Sequence, residues 1–156
     1  MAFTDRAYPK QMSDLVVSEV NPSLGYARET INVTPPAASA PIKFGQVVFR
    51  AKSADPLAPY AVITAAANVA IANEYAVVFG DNYSVQDGFV PTAVSTETTI
   101  GNAVAFVRGS VILKEHYIKE IAMDATGANL TAAKFGELKE LLAKQGVIVE
   151  DSLTAE

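Results

Sequence analysis

The chain contains no cysteine, which excludes disulfide bonds, thiolate catalysis and zinc sites built on cysteine. Charge is also scarce: 19% of the 156 residues are charged and half are apolar, which is the composition of a folded chain rather than a disordered one. The net charge is −5, and lysine and arginine form no cluster of the kind that follows a phosphate backbone. We therefore expect a folded domain that does not bind nucleic acid directly.

The sequence also lacks a clear membrane span and a secretory signal. Its most apolar stretch runs from Tyr60 to Phe79, but Asn68, Asn73 and Glu74 interrupt it and alanine dominates its middle. A transmembrane helix needs about twenty strongly apolar residues. The first residues, Met-Ala-Phe-Thr-Asp-Arg, have no basic region followed by an apolar one. We expect a soluble protein that is made in the cytoplasm and has no membrane partner.

Catalytic motifs are missing as well. The sequence has neither the Gly-x-Ser-x-Gly of serine hydrolases nor a glycine-rich loop that would hold phosphates. Its single histidine, His116, has no nucleophile beside it. We therefore expect no enzyme activity, no cofactor and no metal site. The charged residues around the histidine fit a solvated face better than a metal site: Glu115, Glu120 and Asp124, with Lys114 and Lys119 as salt-bridge partners.

Proline is concentrated at one end of the chain, where five of the eight prolines lie before Gly45. Because proline fixes φ and removes a backbone donor, this leader cannot form much regular structure alone. It still carries scattered apolar side chains, and this combination predicts an extended arm, residues 1–43, that lies on a neighbouring protein. Thr34–Pro41 is typical of a polyproline-like connector into a body of residues 44–156. The arm residues expected to make the contact are Phe3, Tyr8, Leu15, Val16 and Val17.

Segments rich in β-branched residues predict a series of short strands. Residues 65–73 fit helix and extended structure equally well, and His116–Met123 fits either a short helix or a continuation of the strand before it. A glycine in the strongest strand, Ala103–Leu113, suggests a bulge or bend there. The other expected strands are Leu15–Val20 and Arg28–Val33 in the arm, and Gln46–Ala51, Tyr60–Thr64, Glu74–Phe79 and Val147–Val149 in the body.

Residues 131–145 predict one amphipathic helix. From Phe135 onward, apolar residues recur at i, i+3, i+6 and i+7 and form a single stripe. Thr131 or Asn129 suits the N-cap, and Gly146 stands where a C′ glycine belongs. Several strands, one helix and one strand indicate an α+β body that is mainly β.

Arg108 is the ionisable residue in the most unusual place, inside the apolar strand predicted for Ala103–Leu113. A buried arginine there would need a carboxylate partner. An arginine in such a position lies at a subunit junction or reaches solvent, and the sequence favours neither reading. We therefore treat Arg108 as a candidate subunit-interface residue.

The order of features over residues 44–150 is also informative. Phe44-Gly45 opens a valine-rich strand, a proline turn leads to Tyr60-Ala61-Val62-Ile63, and a second apolar strand runs into Arg108-Gly109 before the helix that ends Leu142-Ala143-Lys144-Gln145-Gly146. This order resembles the lambda-type head decoration proteins, or capsid cement proteins, of tailed bacteriophages. In those proteins a valine-rich strand ending in Arg-Gly precedes a terminal Leu-x-x-x-Gly-Ile element.

The resemblance implies a small β-tulip-like body with a C-terminal helix, trimeric on the capsid. It implies the major capsid protein as partner, bound at threefold and quasi-threefold junctions on the outside of the expanded head, with N-terminal arms gripping the shell. The expected function is structural: the protein would stabilise the head against the pressure of packaged DNA. Two alternatives stay open, a tail or fibre-attachment protein and a small-ligand-binding β-barrel.

Overall fold

The computed structural model of the chain describes residues 12–35, 42–80, 101–121 and 130–151. The predictions for Phe3, Tyr8, residues 36–41 of the connector and Asp124 lie outside these ranges. The helices are α1 (Met12–Leu15), α2 (Glu115–Ile121) and α3 (Ala132–Lys144). The strands are β1 (Val16–Glu19), β2 (Arg28–Thr34), β3 (Val47–Ala51), β4 (Tyr60–Val62), β5 (Asn73–Gly80), β6 (Gly101–Phe106), β7 (Val111–Lys114) and β8 (Val147–Glu150).

Five strands form a closed barrel in the order β2-β4-β3-β5-β6, and β6 pairs back with β2. All the pairings are antiparallel except β2 with β4, which run parallel with Val33 opposite Tyr60. Because side chains alternate across a strand, one set points into the barrel, and its small and branched members fill a narrow interior. This buried cluster contains Ile31, Val33, Ile42, Val48, Tyr60, Val62, Ala76, Val78, Ala103, Ala105 and Val107.

A three-stranded sheet, in the order β1-β7-β8, lies beside the barrel. Helix α3 packs on β8 and β5, so it covers the outer face of one barrel wall as well as this sheet. The side chains packed between α3, the barrel wall and this sheet form a second and larger core. Its fully buried members include Leu15, Phe44, Tyr75, Phe106, Leu113, Ile118, Leu138 and Leu142.

The predicted arm is the main point at which the structure differs from the sequence prediction. Residues 15–34 belong to the body: the Leu15 side chain is 0% exposed within the larger core, and β2 closes the barrel. A boundary at residue 43 is therefore wrong for the part of the arm that the structure describes. The physical reason is that Pro22 opens a single 3-10 turn and Pro35 directly follows β2, so these prolines end short elements and leave the strands between them intact.

The predicted helix and most predicted strands are confirmed, as is the mainly β α+β class with a C-terminal helix. The Thr131 hydroxyl accepts a hydrogen bond from the Lys134 amide at 3.3 Å and caps α3, and Gly146 follows the helix with φ of +84°. The ambiguous residues 65–73 contain a 3-10 turn over Ala66–Asn68, and α2 replaces the possible strand continuation after Lys114.

The single strand predicted over Ala103–Leu113 is wrong. The strand is interrupted after Phe106: β6 ends there and belongs to the barrel, whereas β7 belongs to the three-stranded sheet. The break lies where Gly109 meets Gly146: the Gly109 amide donates to the Gln145 carbonyl at 2.8 Å, and the Val111 amide donates to the Gly146 carbonyl at 3.3 Å. The chain turns here because it bonds to the end of α3 instead of continuing along the barrel.

Candidate interaction surfaces

The outer face of the three-stranded sheet is open and carries a small apolar patch, beside which Lys114 of β7 and Glu150 of β8 lie opposite each other. On β8, Val147 and Val149 are buried, so alternation places Ile148 outward, where it is 42% exposed. Ile112 of β7 lies next to it in parallel register and opposite Ser18 of β1. We call this surface, formed by Val17, Ile112 and Ile148, the sheet face.

The first strand contributes to the sheet face through an irregular step in its pairing. Val16 lies opposite Leu113, and Ser18 lies opposite Ile112, which leaves Val17 as the extra residue, 53% exposed. Leu15 is a core residue and Val16 packs partly against the core. Of the described residues predicted to grip a partner, only Val17 is therefore available on the surface.

One end of the barrel forms a polar cavity of about 240 Å³. On its wall, Arg50 of β3 lies opposite Glu74 of β5, and its Nε donates to Glu74 Oε1 at 2.7 Å. Arg50 Nη1 also donates to the carbonyls of Pro56 and Ala58, at 2.6 and 3.1 Å. The guanidinium lies 4.5 Å from the ring centroid of Tyr60. Arg50 is therefore held on several sides and has a structural role in this wall.

Tyr60 completes this group, since its hydroxyl donates to Glu74 Oε1 at 3.2 Å. Burial, with a further contribution from the nearby Glu74 carboxylate, raises the pKa of Tyr60 to about 12. A phenol whose pKa is raised on folding contributes stability that is complete below its unfolded pKa of about 10. That contribution is lost as the pH rises from there through 12.

We predict that Tyr60→Phe flattens the alkaline stability profile. At pH 8 the variant should be less stable by about 1–2 kcal/mol, because the hydroxyl no longer donates to Glu74. As the pH rises above 10, the difference between the two proteins should shrink, since only wild type must ionise this buried phenol on unfolding. Urea unfolding between pH 8 and 11 measures it, with the exposed Tyr26→Phe as control. Parallel wild-type and Tyr60→Phe profiles would contradict the assignment.

Arg108 lies at the rim of the same cavity and reaches solvent, with its side chain 48% exposed. Its Nη1 donates to Glu29 Oε2 at 2.8 Å, and its guanidinium lies 5.5 Å from the ring centroid of Tyr26. The sequence indicated that Arg108 was unusual but not which carboxylate it would pair with. A role at a subunit junction stays a prediction.

The charged face predicted around His116 is present in part. His116 is exposed on α2, and the Glu115 carboxylate forms ion pairs with Lys119 at 3.8 Å and with Lys139 of α3. Lys119 was predicted as a partner, whereas Lys139 was not, because it is distant in sequence. Within the described ranges, no group of three or more histidine, cysteine, aspartate or glutamate residues is arranged to hold a metal ion. No helix in this part of the chain is long and apolar enough to cross a membrane.

Comparison of the chain with protein-family models, with curated proteins and with solved structures finds no match.

Proposed function

We propose that this protein is a structural virion component that binds the outside of the expanded phage head and stabilises it. The observation that carries the proposal is the sheet face, a small apolar patch bordered by polar side chains on a strand-built body. Together with the resemblance of residues 44–150 to capsid cement proteins, it supports a protein that works by covering a seam between shell subunits.

The magnitudes favour several weak contacts over one strong one. Burying a valine or isoleucine completely is worth on the order of 1.5–3 kcal/mol, and the side chains of the sheet face are already partly covered. One copy would therefore bind weakly. A trimer that presents three such faces at once would bind far more tightly through effective concentration. Trimeric binding at a threefold junction is thus part of the proposal, and sedimentation of the free protein tests whether the trimer forms before binding.

The proposal assigns the contact differently from the sequence prediction. Leu15 holds β1 to the body and does not reach a partner. Val17 remains a contact residue as part of the sheet face. Phe3 and Tyr8 remain predicted contact residues, and deletion of residues 1–11 tests them without removing any described strand.

We predict that Ile148→Lys weakens decoration of expanded heads on the order of tenfold, because the substitution places an ammonium where an apolar seam should close. The matched control is Ile71→Lys, which makes the same change at a residue that is 70% exposed outside the sheet face. Both variants should fold, since each alters an exposed side chain. Co-sedimentation with empty expanded heads of the encoding phage measures the effect. Equal binding by the two variants would remove the sheet face from the proposal.

A tail or fibre-attachment protein is the other virion role that this surface could serve. Copy number separates the two roles, since a cement protein is present in hundreds of copies per particle and a tail component in a few. Quantification of the protein against the shell protein in purified virions therefore decides between them. A small-ligand-binding barrel is less well supported, because side chains fill the barrel interior.

A further inference from the structure

The rim of the barrel cavity contains one arginine that is held in place from two directions. The backbone on either side of Arg108 is fixed: the Val107 amide donates to the Ala27 carbonyl at 3.0 Å, and the Gly109 amide donates to the Gln145 carbonyl at 2.8 Å. Its guanidinium lies over the Tyr26 ring. Among the described residues, the guanidinium makes one hydrogen bond, although an arginine has five N–H donors in a planar fork.

The partner in that hydrogen bond is less firmly held. The Glu29 side chain is 50% exposed, and Arg108 is its one hydrogen-bonding partner in the described part of the chain. An ion pair this exposed contributes little to stability, because water screens both charges. Glu29 can therefore turn into solvent at small cost while Arg108 keeps its position over Tyr26. This asymmetry means that an incoming anion can replace Glu29 more easily than an incoming cation can replace Arg108.

The rest of the cavity sets the shape of the incoming group. Arg50 is already engaged by Glu74 and two backbone carbonyls, so Arg108 is the arginine open to exchange. Leu57, in the turn that lines the same cavity, is exposed and offers an apolar side chain there. The cavity volume of about 240 Å³ is below the range of about 300–1,000 Å³ that is typical of pockets for drug-sized ligands, which suits one small group rather than a large ligand.

We propose that the barrel mouth binds a carboxylate that carries a neighbouring apolar group, with Arg108 as the bidentate donor and Leu57 as the apolar contact. Arginine and carboxylate match in geometry, and such charge-assisted pairs are stronger than neutral hydrogen bonds. The carboxylate is an acidic side chain of a partner protein or a small organic acid, and the test distinguishes these sources. The proposal does not depend on capsid binding.

The test is an NMR titration that follows the Arg108 Nε–Hε resonance and the backbone amides of residues 29–32, 57–58 and 107–108. The probes are N-acetyl-Leu-Asp-amide, isovalerate, and N-acetyl-Leu-Asn-amide as the uncharged control. We expect saturable shifts with the two carboxylates, with dissociation constants on the order of millimolar, and none with the amide. Tighter binding of the peptide assigns the site to a protein partner, and tighter binding of isovalerate assigns it to a small acid.

Three variants separate this site from a merely structural ion pair. Arg108→Gln should abolish the shifts, whereas Glu29→Gln should tighten binding by about two- to fivefold because the competing carboxylate is gone. Lys52→Gln removes an exposed cation that belongs to the turn after β3 and does not line the cavity, so it should change nothing. Shifts that persist in Arg108→Gln, equal shifts with the amide peptide, or weaker binding to Glu29→Gln would each overturn the proposal.

Discussion

Removal of residues 1–35 is expected to abolish cooperative folding, because it takes away β1 and β2 together. Strand β2 pairs with β4 on one side and with β6 on the other, so its loss opens the barrel and leaves two unpaired edges. The deletion also removes α1, whose last residue, Leu15, is buried in the larger core. The remaining fragment, residues 36–156, should lack the dispersed NMR spectrum and the near-ultraviolet tyrosine signal of the intact protein.

Energy estimates indicate that the remaining chain cannot absorb this loss. Leu15, Ile31 and Val33 are nearly fully buried, and burial of three such side chains is worth on the order of 5–9 kcal/mol. The total stability of a domain is about 5–15 kcal/mol. The deleted segment no longer has to be ordered, but the strands that it covered still do, and their apolar faces would be exposed.

The matched control is deletion of residues 1–11, which removes none of the described core. This shorter deletion should unfold cooperatively with a Tm close to that of the intact chain. A synthetic peptide of residues 12–35, added to the 36–156 fragment, should restore the tyrosine signal if β1 and β2 belong to the body. If the 36–156 fragment folds by itself, these residues are an arm and our description of the body is wrong.

Local pattern predicted where strands lie, but not which strands pair. Strands were expected at Arg28–Val33 and Tyr60–Thr64 and are found at Arg28–Thr34 and Tyr60–Val62. The residue pair Ile31 and Ala103, in contrast, joins positions about seventy apart, and one sequence contains no signal for such pairing. The prolines of the leader led to the wrong prediction that residues 15–34 belong to an extended arm. Their number shows how often regular structure is interrupted, but not how short each interruption is.

The candidate surfaces were predictable to a smaller extent. The alternation in Val147-Ile148-Val149-Glu150 already indicates that Ile148 faces away from its neighbours, so the sheet face had a signal in the sequence. Arg108 was also identified from its unusual position. Its partner Glu29 could not be predicted, because that contact follows from the closure of the barrel between β2 and β6.

Substitution of Gly109 by alanine should be strongly destabilising, although it adds only a single methyl group. A Cβ on Gly109 would lie far inside van der Waals contact with the backbone oxygen, Cα and carbonyl carbon of Gly146. No side-chain rotation can relieve a clash between two backbones, so the segments would have to separate. Separation would weaken the two hydrogen bonds that join them, each worth about 1 kcal/mol.

The expected loss from Gly109→Ala is about 3 kcal/mol or more, which for a chain of this size lowers the Tm on the order of 6–12 °C. Gly136→Ala is the control, since a Cβ at that position in α3 meets nothing within 4 Å. Because alanine favours helix over glycine, the control should gain about 0.5–1 kcal/mol. Thermal and urea unfolding of the two variants therefore shift in opposite directions. Equal stability of Gly109→Ala and wild type would mean that the end of α3 and the chain after β6 do not approach as closely as described, and the anchored position of Arg108 would be lost with that contact.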